Sequence, residues 1–467
     1  MKFRVGEIAA ATGGKIVAGR PETAAGEIGT DTRTLGKGQT FLAIRGERFD
    51  GHDFLEEAVR RGAACLVVDR EDRLPPGVRS GATTAVVAVH DTLEALADLG
   101  RAARDRLGCP VVAVTGSCGK TTVKEMIGQI LAGRRKGRTP QASFNNAIGV
   151  PLTLLGAEPD DAFVLCEFGT NAPGEIARLA RIGRPTVGVV TTVAPAHLEG
   201  LGSLDGVARE KAALVEALGS GGVAILNADD PRVAAMAGRC RGRVVTVGTS
   251  ETADLRIEDV IQTDRGVHFT VGGTVGFEMP VLGRHQALLA ALAAAAVREV
   301  GVALEDSARA LRAFRPPPMR LTLVETGVAT VLNDAYNANP ASMKAALDLL
   351  ALWPDRRKVF FCGDMRELGA ESRAAHEEIG RMAVEAGVDR LVCVGPESRA
   401  TAEAAKKAGL GAEAVTWVAE ASEAAALAPT MVDDGDVVLV KGSRAIGMER
   451  VAEAIGGRVA ESDDGAA

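Results

Sequence analysis

The sequence predicts an α/β protein of three domains, on three observations. Its 467 residues exceed what one domain usually holds, at roughly 100–200 residues each. Short apolar runs bounded by turn residues alternate with helical stretches, as expected for strands buried on both faces of a mostly parallel sheet. The run Pro316-Pro317-Pro318 stops that alternation, because proline fixes φ, and the alternation then restarts. The predicted divisions are a small α/β domain over 1–106, a central, mostly parallel sheet domain over 107–314, a C-terminal Rossmann-like, doubly wound domain over 315–459 and a disordered tail over 460–467.

In the first part, a helix at about Val5–Thr12 precedes a strand at Gln39–Ile44. A helix at Phe54–Arg61, strands at Cys65–Val68 and Ala85–Val89 and a helix near Leu93–Arg106 follow. No complete catalytic motif falls here, so this part is read as a recognition domain. The central part has apolar strands at Val111–Thr115, Phe163–Glu167, Val187–Thr191 and Val223–Leu226. More exposed strands follow at Val244–Val247, Leu255–Val260 and Val267–Val271, then a buried Ala/Leu helix from Gln286 to Val297. After the prolines, strands are expected at Val328–Leu332, Val359–Cys362, Leu391–Val394, Val415–Val418 and Val437–Val440, with helices between them.

Composition narrows the function. A net charge of -7 argues against a dedicated nucleic-acid binder, and 3% aromatic residues with Tyr336 as the one tyrosine leave little for base stacking. The seven cysteines are odd in number, widely spaced and without a C-x-x-C pair, against both a disulfide framework and a thiolate zinc site. The N-terminus has no apolar signal core, and the longest apolar run, Ala287–Val297, is too short to span a bilayer. The expectation is a cytoplasmic monomer without membrane insertion.

The strongest local signal is Thr115-Gly116-Ser117-Cys118-Gly119-Lys120-Thr121-Thr122, directly after an apolar strand and before a helix. Glycines let backbone N–H groups approach phosphate oxygens, and a helix N-terminus adds a favourable dipole. Lys120 is placed to lie along β/γ-phosphates and Thr121 to hold Mg²⁺ through its hydroxyl. Val114 occupies the place of the leading glycine of the common phosphate loop. Such a loop alone does not choose between kinase, GTPase, ATPase and ligase.

This loop, without its leading glycine, resembles the ATP loop of the Mur ligases and their folylpolyglutamate synthetase relatives. The resemblance extends over nearly the whole chain: Asn145-Asn146 to Leu155, Glu167 to Ile176, Ala196-His197-Leu198-Glu199-Gly200, Ser203 to Lys211, Asn333 to Met343, Gly363 to Gly369 and Lys441 to Arg444. The segment Asn333-Asp334-Ala335-Tyr336-Asn337-Ala338-Asn339-Pro340-Ala341-Ser342-Met343 is the sharpest match, to the dipeptide-adding branch. The implied activity is ATP-dependent amide ligation, joining D-alanyl-D-alanine to UDP-N-acetylmuramoyl-tripeptide through an acyl phosphate.

The resemblance also implies roles. Glu167, at a strand end where a hard oxygen ligand suits Mg²⁺, is a metal ligand. His197, which read alone is a structural histidine, ligates a second Mg²⁺. Lys211, which read alone is a solvated helix lysine, is carbamoylated and becomes an oxygen ligand. Lys120, Glu167, His197 and Lys211 form the catalytic set. Arg320 and Asp334 meet ATP when the domains close. Asn145, Asn146, Tyr336, Asn337, Asn339 and Ser342 belong to substrate-binding segments, although Asn337, Asn339 and Ser342 also suit helix caps. Arg444 pairs with the dipeptide carboxylate, and Thr32, Arg33 and Arg48 lie in UDP-recognition loops of the first domain. Gln286 and Leu289 stand where relatives usually show two asparagines, the first on the adenine side, which puts base selectivity in question.

Three other readings compete. A ligase that adds a single amino acid, or glutamate to folate, shares the loop; the Asp334–Met343 segment and the Gly46–His52 loop argue for the dipeptide branch. A P-loop regulatory switch predicts binding without peptide synthesis, and Glu167, His197 and Lys211 speak against it. A noncatalytic scaffold finds support only in Gln286 and Leu289.

Overall fold

The computed structural model describes residues 1–46, 49–80, 83–140 and 144–456. Three sheets carry the architecture. The first orders its strands Lys15–Ala18, Ala85–Ala88, Cys65–Val68, Thr40–Leu42 and Ile28–Gly29, parallel except for Lys15–Ala18 at one edge. Cys65–Val68 is apolar and wholly buried, whereas the edge strands are too short or too exposed to show a period in the sequence. A ribbon of Phe3–Arg4 and Ala24–Gly26 lies beside it.

The central sheet has eight strands: Val275–Met279, Val267–Val271, Leu255–Gln262, Arg243–Gly248, Val223–Asn227, Val187–Val190, Val111–Thr115 and Val164–Glu167. Pairing is parallel from Val164–Glu167 to the start of Leu255–Gln262, and an antiparallel hairpin completes the other edge. That hairpin buries Val275, Phe277 and Met279 and exposes Gly276 and Glu278, the alternation of a sheet with one wet face. The sequence reading missed its last strand, because Gly272-Gly273 ends the apolar run. The helix Gln286–Arg298 has almost no polar face and packs on this sheet beside the helix Lys120–Leu131.

The third sheet orders Thr322–Glu325, Thr330–Asp334, Val437–Lys441, Lys358–Gly363, Arg390–Val394 and Val415–Val418. All neighbours are parallel except the edge strand Thr322–Glu325. Insertion of the last strand beside Thr330–Asp334 sets Asp334 opposite Lys441 in register. This is the reversal of strand order at which open α/β sheets place their ligands.

The sheets share apolar cores rather than standing apart. Helix Thr92–Asp105 follows the first sheet but packs on the central one: a Cβ at Gly100 would lie 2.9 Å from Pro151 Cβ. Arg104 Nε donates to the Gly183 carbonyl at 3.1 Å across the same junction. Among the described residues no helix is long and apolar enough to cross a membrane.

Candidate active site

The parallel register brings three strand ends together. Thr115 pairs with Val190, and Val114 pairs with Glu167 on the opposite side. The phosphate loop, the Glu167 carboxylate and the Thr191-Thr192 loop therefore emerge side by side at the carboxyl edge.

Two glycines make the loop possible. Gly119 has φ +80°, and a Cβ there would lie 2.6 Å from Leu289 Cδ2. A Cβ at Gly116 would lie 1.8 Å from Thr191 Oγ1. The Thr191-Thr192 loop buttresses the turn. Ser117 N donates to the Thr192 carbonyl at 2.8 Å, Cys118 N to Thr192 Oγ1 at 3.2 Å, and Thr191 Oγ1 to the Cys118 carbonyl at 2.5 Å. The helix begins at Lys120, so its first-turn N–H groups face the loop. Lys120 Nζ folds back onto the Gly116 carbonyl at 2.8 Å, and burial holds its ammonium below the ordinary lysine value, opposed by Glu167.

Not every loop residue faces the phosphate side. Thr115 is fully buried and its hydroxyl donates to the Phe168 carbonyl at 2.8 Å, tying two strand ends together. Ser117 Oγ is engaged by both the carbonyl and the N–H of Ala194, at 3.0 and 2.9 Å. Thr122 is buried on the loop helix. The polar groups that converge are Lys120, Thr121, Glu167, Asn145 and Arg320.

Glu167 is 1% exposed. Its Oε1 accepts from Thr121 Oγ1 at 3.2 Å and from Asn145 Nδ2 at 3.1 Å, while its Oε2 is buried without a hydrogen-bond partner. An orphaned carboxylate oxygen beside a hydroxyl, next to a phosphate loop, fits a hard divalent cation that takes its remaining ligands from phosphate and water. Among the described residues no three His, Cys, Asp or Glu side chains converge as a metal cluster. Asn146 is exposed, and its Oδ1 caps the next helix through Ile148 N and Gly149 N.

Lys211 corrects the solvated-lysine reading. It lies on helix Leu204–Glu216 at 1% exposure and makes no hydrogen bond or ion pair among the described residues. Burial, then the Lys120 charge, brings its ammonium down to about 7. Its neighbour Glu210 is also buried and accepts from Gly174 N and Ile176 N, both at 2.7 Å. A carboxylate on the Lys211 helix thus caps the helix Glu175–Gly183 that follows Glu167.

The third sheet closes the site from the other side. Arg320 Nη2 donates to Thr121 Oγ1 at 3.0 Å, and its guanidinium lies 3.9 Å from the Tyr336 ring centroid. His197 Nδ1 meets Glu367 Oε2 at 2.5 Å, a contact that fixes the orientation of the ring. That hydrogen bond holds the Glu367 carboxyl below the usual glutamate range. Asn339 Nδ2 lies 3.1 Å from Cys118 Sγ on the phosphate loop.

Several predicted contacts are engaged within the third sheet itself. Asp334 accepts from Leu321 N through Oδ1 at 3.1 Å and from Lys441 Nζ through Oδ2 at 2.5 Å. Asn339 and Ser342 cap one another at the start of helix Pro340–Leu350, and Asn337 Oδ1 accepts from Ala338 N at 2.8 Å. Arg444 is exposed, with Nη1 3.5 Å from Met319 Sδ and from Glu449 Oε1. Gln286 is 3% exposed at the start of its helix with Oε1 unpartnered, and Leu289 fills the space against Gly119. In the first sheet's loops, Thr32 is buried and Arg33 is exposed and paired with Asp31; Arg48 lies outside the described residues. Sequence reasoning missed roles for Thr191, Thr192, Glu210, Glu367 and Lys441. Each sits at a strand end or beside a singled-out residue, but its partner is far away in the chain.

A phosphate loop with an acidic strand end beside it, faced by an arginine from a second doubly wound sheet, defines a nucleotide-dependent two-sheet enzyme. The Mur ligase family catalytic domain matches residues 26–104, the Mur ligase middle domain 114–297 and the Mur ligase glutamate ligase domain 319–444. The chain belongs to the Mur ligase family. It is 36% identical over 427 residues to the UDP-N-acetylmuramoyl-tripeptide–D-alanyl-D-alanine ligase of Bacillus subtilis, covering 91% of this chain and 92% of that one. It is 37% identical over 438 residues to the Escherichia coli enzyme of the same name, covering 92% and 93%. Among solved structures, MurF from Acinetobacter baumannii superposes with TM-score 0.87 at 30% identity, over 97% of this chain and 99% of that one. MurF ligase from Thermotoga maritima in complex with ADP gives 0.79 at 26%, over 92% and 97%.

Proposed function

We propose that this chain joins D-alanyl-D-alanine to UDP-N-acetylmuramoyl-tripeptide, with ATP converted to ADP and phosphate, in peptidoglycan biosynthesis. The observation that carries the reading is the convergence of Lys120, Thr121 and Glu167 with Arg320 from the facing sheet, in a chain that relatives of that activity match over more than nine-tenths of its length.

A carboxylate is a poor electrophile, so the tripeptide carboxylate oxygen first attacks the γ-phosphorus while the bond to the β-phosphate oxygen breaks and ADP leaves. The dipeptide amine then adds to the carbonyl carbon, loses a proton, and phosphate departs from the tetrahedral intermediate. The first step crowds anions, so the chain's work is positioning and charge neutralisation. Lys120 and Arg320 supply fixed cations around the phosphates. The loop's first-turn N–H groups orient the chain of phosphates. Glu167 and Thr121 are the residues that would hold Mg²⁺, which would supply charge neutralisation at the phosphates. His197, oriented by Glu367, and Lys211 face the adjoining region; a lysine amine brought down to about 7 is partly uncharged at neutral pH, the form that adds to CO₂ and loses a proton to give a carbamate. The Asp334–Ser342 loop and Arg444 border the dipeptide end, Thr32 and Arg33 the UDP end, and the buried Gln286 amide the base. The chain works as a cytoplasmic monomer of three domains.

The test is phosphate release from ATP and Mg²⁺ with UDP-muramyl-tripeptide, with and without D-alanyl-D-alanine, while mass spectrometry follows the UDP product. Dipeptide-dependent release with a UDP-pentapeptide product is expected. Nucleotide binding with no product, for tripeptides ending in either diaminopimelate or lysine, would overturn the reading.

A further inference from the structure

Six non-glycine residues among the described ones have a left-handed backbone. Four of them, His197, Met319, Leu321 and Glu367, lie where the third sheet's loops meet the central sheet. Strain of this kind persists only where the surroundings over-determine it, and it gathers at functional sites. Met319 at φ 59° and Leu321 at φ 51° flank Arg320 on both sides.

The surroundings that hold the Arg320 backbone are specific. The Met319 carbonyl accepts from Tyr336 N at 3.1 Å, and Leu321 N donates to Asp334 Oδ1 at 3.1 Å. Asp334 is fixed in turn by Lys441 Nζ, which also donates to the Asn337 carbonyl at 2.8 Å. Met319, Leu321 and Lys441 are all buried. From this pinned turn the Arg320 side chain runs across the Tyr336 ring, 3.9 Å from its centroid, and ends on Thr121 of the phosphate loop at 3.0 Å. A second guanidinium, Arg444, lies 5.8 Å from the same ring and touches Met319 Sδ.

We infer that Tyr336 is a positioning residue that acts through Arg320: its ring, with the strained Met319–Leu321 turn, holds the guanidinium at the phosphate loop before ATP arrives. This rests on the function proposed above and reassigns Tyr336 from dipeptide contact to cation support. An unsupported arginine has many rotamers, and a ring stacked under its plane favours one of them. The effect belongs to the phosphoryl-transfer step, where charge spreads over the transferred group.

Tyr336 is the only tyrosine of the chain, so 3-fluorotyrosine gives one fluorine resonance from the intact protein. The R320A substitution is expected to move that resonance without any nucleotide; an unchanged resonance would overturn the stack. Steady-state kinetics supply the second arm. Y336F keeps the ring and is expected to hold kcat within about twofold. Y336L is expected to lower kcat about tenfold, with KM for D-alanyl-D-alanine within about twofold. R320A is expected to lower kcat on the order of a hundredfold, and Y336L in the R320A background to lower it no further. Additive losses, or a KM for the dipeptide that rises in Y336L, would put the ring on the dipeptide instead. A wild type without dipeptide-dependent turnover would count against the proposed function, while the fluorine resonance still decides the stack.

Discussion

At the scale of single residues, the sharpest statement concerns Lys211. A lysine at 1% exposure without an ion pair carries the full cost of desolvating its charge. Its ammonium titrates near 7 when folded against an ordinary 10.5, a penalty on the order of a few kcal/mol. The sign follows from proton counts. Between about 7 and 10.5 the unfolded chain holds a proton the folded chain lacks, so stability rises with pH across that window. Below about 7 both states are charged and the whole penalty applies. K211M removes it, so in CO₂-free buffer the variant is expected to be more stable than wild type by a few kcal/mol at pH 6. The gap should shrink from pH 7 upward and close near 10.5, while ligation is lost. Urea unfolding of both proteins across pH measures it; a gap independent of pH would mean that Lys211 is not buried as a charge.

At the scale of elements, two predictions concern how helices begin. Glu210 caps the helix Glu175–Gly183 from a neighbouring helix, so E210A leaves two amide donors without their acceptor. We expect a loss of about 1–3 kcal/mol in denaturant unfolding, and E210Q to recover part of it because its carbonyl still accepts. A loss no larger than that of an exposed Glu→Ala control would show that the cap contributes nothing. Gly119 begins the phosphate-loop helix in a left-handed conformation against Leu289, so G119A combines about 1–2 kcal/mol of backbone strain with a clash. Titration calorimetry with a nonhydrolysable ATP analogue is expected to show affinity reduced at least about tenfold, and unchanged affinity would remove the loop from nucleotide binding. These elements also show what the sequence could disclose. Val111–Thr115 and Cys65–Val68 were legible to the residue, because strands buried in a sheet interior are continuous apolar runs. Thr322–Glu325 and Lys15–Ala18 were not, since half-exposed edges carry no such run. The phosphate loop was legible because strand, glycines and helix are contiguous. Glu210, Glu367 and Lys441 were not, because their meaning lies in partners 34, 170 and 107 residues away. Lys211 in particular shows nothing in its local sequence that distinguishes a buried lysine from a solvated one.

At the scale of the whole molecule, the central and third sheets share part of an apolar core and also meet through polar contacts that include Arg320 with Thr121, Asn339 with Cys118, His197 with Glu367, and Glu199 N with the Glu367 carbonyl. Polar junctions between domains permit relative motion, and closure over the site would shield an acyl phosphate from water. Of the side-chain contacts named, the His197–Glu367 pair is the one made without the phosphate loop, so it is the place to test whether the free chain is held closed. An imidazole Nδ1–H donates to a carboxylate whether or not the ring is charged. The hydrogen bond holds the Glu367 carboxyl below the ordinary 4.5, so its contribution is complete above 4.5 and is lost as pH falls through the lowered value. Replacing the carboxylate by an amide removes that charge at every pH. Small-angle scattering of the free protein at pH 7.5 is therefore expected to give a larger radius of gyration for E367Q than for wild type. The difference should vanish at a pH below the folded Glu367 value, if both chains remain folded there. Adding an ATP analogue, Mg²⁺ and UDP-tripeptide should return E367Q to the wild-type radius, because the ligands then bridge Thr121 and Arg320 themselves. Equal radii at pH 7.5 would show that Glu367 orients the His197 ring without holding the domains together, and an E367Q chain that stays expanded with all ligands would assign closure to this one pair.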